Sequence, residues 1–102
     1  MKKVINGKLY DTNTATKIGI REFGYRNDLK YAFEALYKTP RNRFFLEYSG
    51  GALSKYMVSE GSNLVSGSSG IRVLTPEEAL EWCEQSKIDA ETIKNHFPIE
   101  DA

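Results

Sequence analysis

Two clusters of charged residues and two isolated reactive side chains are the places where this sequence could do chemistry. Lys38, Arg41 and Arg43 crowd a turn-like stretch around Pro40, and Tyr31, Tyr37, Phe44 and Tyr48 flank them. A basic β-ribbon with aromatic flanks can enter a nucleic-acid groove or stack on single-stranded bases. Glu77, Glu81 and Glu84 fall on the outer side of a helix-like segment. A rigid acidic face of that kind suits a basic groove on a protein partner, where electrostatics speed encounter and set orientation. The competing reading of both clusters is plain solvation of a turn and of a helix surface.

The reactive singles offer less. His96, the only histidine, precedes Phe97 at the end of a short helical pattern, where the helix dipole favours its charged form and the surface is the expected place for it. Cys83, the only cysteine, falls on the apolar side of the acidic helix and reads as a small buried residue. A nucleophilic thiol needs a neighbouring base or cation, and the flanking sequence supplies neither. Gly67-Ser68-Ser69-Gly70 lacks the lysine and the following helix of a phosphate-binding loop. Acids such as Glu77 and Glu78 at a helix start are accounted for by capping and the helix dipole. The sequence therefore reads as a binding protein and not an enzyme, with no cofactor and no metal site.

Composition sets the frame for these residues. The chain has 102 residues, one domain's worth, with 40% hydrophobic and 27% charged residues and twelve aromatics, enough for one core. A single cysteine excludes an intramolecular disulfide. The start, Met1-Lys2-Lys3-Val4-Ile5-Asn6, breaks into polar residues too early for a signal peptide, and no apolar run approaches a membrane span, so the expectation is the cytosol. Formal net charge is zero, yet residues 1–56 carry eleven Lys/Arg against five Asp/Glu, while residues 57–102 carry three against nine. Asymmetry of this size points to a charged partner or to pairing within the fold.

The elements that must position the clusters are partly legible. Asn6-Gly7 between Val4-Ile5 and Leu9-Tyr10 predicts a tight hairpin over residues 3–10. Asp11 or Thr12 predicts a short helical turn over Asn13–Ile18, ended by Gly19. Residues 20–30 read as an irregular connection or a twisted strand. Tyr31–Tyr37 suits either a helix or a strand. Its pairing across Pro40 with the aromatic run Phe44–Tyr48 favours a β-hairpin. Ala52–Glu60 suits a single helical turn, and residues 61–70, with four Ser and three Gly, read as a mobile loop. Ile71–Leu74 reads as a short strand.

Two helices follow. Thr75, Pro76 and Glu78 form a capping box with proline at the first helical position, and Ala79, Leu80, Trp82 and Cys83 make the apolar side. Asp89 starts the second helix, stapled by Ile88 and Ile93, and Pro98 stops it. The expected architecture is one α+β domain over residues 1–102, with antiparallel β-hairpins and C-terminal helices packed on the sheet, as a monomer or a homodimer.

Ile5-Asn6-Gly7-Lys8-Leu9-Tyr10-Asp11-Thr12 with Thr14-Ala15, Gly50-Gly51-Ala52-Leu53-Ser54-Lys55-Tyr56, the aromatic hairpin before that double glycine and Leu74-Thr75-Pro76-Glu77-Glu78-Ala79 resemble a family of small proteins of bacterial mobile elements and phages. The resemblance spans most of the chain, and its motifs are structural punctuation, so it carries no functional residue with it. It departs in the longer Gly/Ser loop and in the extra helix from Asp89 to Phe97. What it implies is a protein that inhibits host defence by binding an effector, in the sharpest version a CRISPR-Cas component. Glu77, Glu81 and Glu84 are the expected partner-binding residues. The alternative is a nucleic-acid-binding accessory protein using Lys38, Arg41 and Arg43.

Overall fold

Both of the predicted hairpin turns close a ladder in the computed structural model, which describes residues 1–102. Asn6 and Gly7 both take positive φ, 51° and 74°, matching the twist of the strands that they join. They connect β1 (Lys2–Ile5) to β2 (Lys8–Asp11) with Ile5 opposite Lys8. Downstream, β3 (Thr16–Phe23), β4 (Ala32–Lys38), β5 (Phe44–Gly50) and β8 (Ser68–Leu74) build a four-stranded antiparallel sheet in that spatial order. A two-stranded ribbon of β6 (Val58–Ser59) and β7 (Val65–Ser66) precedes β8. The helices α1 (Pro76–Gln85) and α2 (Ala90–His96) complete the domain, an α+β fold as the sequence predicts.

Three local expectations give way to strand pairing. No helical turn forms over Asn13–Ile18. Asp11 caps a tight turn instead, its carboxylate accepting from the Asn13 amide at 2.9 Å, and Thr16 then enters β3. The β-branched Thr16 and Ile18 favour the extended chain once β4 offers a ladder. Gly19 ends nothing; it follows a β-bulge at Ile18, and a Cβ on it would collide with Ile88 Cδ1. Ala52–Glu60 forms successive turns leading into β6 rather than helix. Within residues 61–70, Gly61 and Asn63 take positive φ at the tip of the β6–β7 ribbon, and Ser68 already pairs with Gly50. Two of the four serines there are bonded through their hydroxyls: Ser66 donates to Glu60 at 2.6 Å and Ser68 to the Tyr56 carbonyl at 2.7 Å.

The sheet is covered on both faces. Leu36, Phe44, Leu46 and Leu74 meet Ala79, Trp82 and Cys83 of α1 and Phe97 beyond α2, whose ring stacks on Phe44 at 4.9 Å between centroids. On the opposite face Tyr37, Phe45 and Ile71 lie under Tyr10 of the β1–β2 hairpin. Burial on both sides explains why Tyr31–Tyr37 reads ambiguously: Ala35 and Leu36 are neighbours in sequence, point oppositely, and are both fully buried. The capping box at α1 is complete, with the Glu78 amide donating to Thr75 Oγ1 at 3.1 Å and the Thr75 amide to Glu78 at 2.8 Å. Ile88 and Ile93 pack against the helix-side core. No helix is long and apolar enough to cross a membrane.

Candidate functional site

Period-two alternation along β4 decides where the basic cluster goes. Lys38 shares the helix-covered face with Leu36 and Glu34, and its charge acts on His96 at the end of α2. Arg41 and Arg43 belong to the turn beyond, held by the Asn42 amide on the Thr39 carbonyl at 2.9 Å and the Arg43 amide on Thr39 Oγ1 at 3.1 Å. The turn meets the tip of the β1–β2 hairpin, and between them lies a notch of about 470 Å³. Gly7, Lys8 and Tyr10 line one wall, and Thr39, Arg41 and Arg43 the other. The structure thus keeps Arg41 and Arg43 together, removes Lys38 and adds Lys8. No carboxylate lines the notch, and neither of the chain's two ion pairs involves its three cations.

The flanking aromatics are less available than the sequence suggests. Tyr37 and Phe44 are buried, the first stacked on Phe45 and the second on Phe97. Tyr48 stacks on Tyr56, and Tyr31 donates to Glu22 at 2.7 Å. Tyr37 and Phe44 therefore belong to the core and are not free to stack on bases.

The acidic cluster sits on α1 as expected. Glu77, Glu81 and Glu84 follow one another at spacings of four and three, form one exposed stripe, and none is in an ion pair. Glu78, by contrast, is turned into the cap, and its hydrogen bonds with Thr75 hold its carboxyl below the usual range.

A third polar group, invisible as a motif, pins this helix to the sheet. Glu34 is 2% exposed, and one carboxylate oxygen accepts from Trp82 Nε1 at 2.9 Å. The other accepts from Tyr56 Oη and meets Lys55 Nζ at 2.9 Å. Burial pushes the Glu34 carboxyl upward, but these three donors outweigh it and hold it below the ordinary value of 4.5. Burial, and then the same contact, push the Tyr56 phenol far up. Beside this knot is a cleft of about 220 Å³ where Arg21, Lys55 and Arg72 face Glu34, Glu78 and Glu81, three charges of each sign. The Arg21 guanidinium and the Lys55 ammonium both lie over the Phe23 ring, at 4.7 and 4.5 Å from its centroid.

Cys83 is fully buried, and burial with the nearby Glu84 charge pushes its thiol up to about 11, so it stays protonated at neutral pH. His96 is half-buried with Nδ1 unbonded. Burial and the Lys38 charge lower its pKa, opposite to the direction expected from a helix C-terminus. Set against protein-family models, curated proteins and solved structures, the chain matches none.

Sequence reasoning missed Glu34 and Lys8. Glu34 leaves a trace, a single acid in the otherwise apolar run Ala32–Tyr37. Lys8 leaves none, because only the docking of two distant turns brings it to Arg41 and Arg43.

Proposed function

We propose that this protein is a binding module that inhibits a bacterial host defence complex, most specifically a CRISPR effector, by presenting α1 to a basic groove on that complex. The observation that carries the reading is the stripe of Glu77, Glu81 and Glu84, exposed and without ion-pair partners, on a helix held at its start by a capping box and in its middle by the Trp82–Glu34 bond. A stripe on a fixed helix presents charge with little ordering left to do on association, and complementary potential then sets rate and orientation. The resemblance to small mobile-element proteins supports the choice of partner class. The buried, protonated Cys83 thiol and the neutral-leaning His96 support binding over catalysis.

The test uses purified CRISPR effectors and measures target cleavage with added protein. Wild type is expected to inhibit at least one effector, and the triple reversal Glu77→Lys, Glu81→Lys, Glu84→Lys to lose that inhibition with its circular dichroism unchanged. Inhibition that survives the reversal removes the acidic stripe from the reading. Failure of wild type to inhibit any effector removes the partner class.

A further inference from the structure

We infer that the notch between the β1–β2 turn and the β4–β5 turn binds the phosphodiester backbone of a nucleic acid, independently of any protein partner met by α1. Three observations carry this. First, Lys8, Arg41 and Arg43 converge there from two elements with no carboxylate on either wall, whereas the cleft beside Glu34 balances its cations with acids. Unmatched cations are the residues from which a polyanion releases counterions.

Second, the notch adds neutral donors. The amides of Gly7 and Arg41, both on its walls, hold no hydrogen bond within the chain, and the Tyr10 hydroxyl has no partner in it. Thr39 Oγ1 already accepts from the Arg43 amide, which leaves its proton free to be donated. Arginine forks with amide and hydroxyl donors around them match phosphate oxygens. Third, a Cβ at Gly7 would meet nothing within 4 Å, so the backbone stands open to close approach.

The same geometry excludes base reading by the flanks. With Tyr37 and Phe44 in the core, contact goes through phosphates alone, and binding has no sequence preference.

The experiment is fluorescence anisotropy of labelled 20-mer DNA, single-stranded and duplex, with the full chain across a salt series. Wild type is expected to bind both forms irrespective of sequence, with a slope of log affinity against log salt of about −2 to −3. Each of Lys8→Gln, Arg41→Gln and Arg43→Gln, all at exposed positions, should lower that slope by about 1. The triple substitution should weaken binding about tenfold or more at low salt. Lys38→Gln, on the other face, should leave slope and affinity unchanged.

Three results overturn the inference: no binding to either DNA at low salt, a loss with Lys38→Gln equal to that with Lys8→Gln, or heparin or poly-glutamate bound as tightly as DNA. Because naked DNA is the probe, these outcomes are separate from those of the effector assay.

Discussion

On the helix side of the sheet, nine buried residues, Leu36 and Leu46 among them, form one core, and a carboxylate lies at the margin of that core with each of its oxygens bonded. On the hairpin side, five buried residues, three of them aromatic, join the sheet to a two-stranded ribbon, and between the ribbon's tip and the β4–β5 turn three cations go unmatched. The contrast separates two uses of charge. Where Glu34, Lys55, Tyr56 and Trp82 satisfy one another, charge fixes the position of α1. Where Lys8, Arg41 and Arg43 find no acid, charge remains for a ligand. Glu77 and Glu84 of α1 are of the second kind, while Glu81 between them also borders the balanced cleft, on a helix that the first kind holds in place.

The largest effect that probes this contrast is on the hairpin side. Phe45 is fully buried, in contact with both Tyr10 and Tyr37, and Phe45→Ala should cost about 4 kcal/mol in urea unfolding. A loss under about 1 kcal/mol would show that the hairpin does not complete a core.

Next comes the knot. Glu34→Ala strands the Trp82 and Tyr56 donors and should cost about 3 kcal/mol. The wild type carries a matching pH signature. The folded pKa of Glu34 lies below its ordinary 4.5, so its contribution is fully present above that value and is lost as pH falls through the folded pKa. The acid-side decline in urea stability below about pH 4.5 should therefore be shallower in Glu34→Gln, and an unchanged decline would mean that Glu34 is not the group responsible. Smallest is the cap: Thr75→Ala should cost about 1 kcal/mol and leave DNA binding at the notch untouched.

Much of the architecture is legible in the sequence where the determining contacts are local. The Asn6-Gly7 turn, the hairpin across Pro40 and the Thr75–Glu78 box each involve residues a few positions apart, and all are found where predicted. The parts that were not legible depend on distant partners. Thr16–Phe23 is a strand because β4 runs beside it, and Ser68–Ser69 are strand because β5 does. The candidate sites divide in the same way. The stripe of Glu77, Glu81 and Glu84 follows from helical spacing alone. The notch joins residue 8 to residue 43, and the Glu34 knot joins residue 34 to residue 82, spans that no local pattern records.

The bulge at Ile18 reaches beyond the fold of one molecule. β3 is an outer strand of the sheet, and a long flat outer strand is a template on which another chain can add. Here the interrupted register between Lys17 and Gly19 bends the strand, and Lys17 and Arg21 put positive charge along it. A second copy approaching that edge meets a broken ladder and like charges. The irregularity that lets Ile88 settle against Gly19 also works as a guard against sheet-to-sheet aggregation.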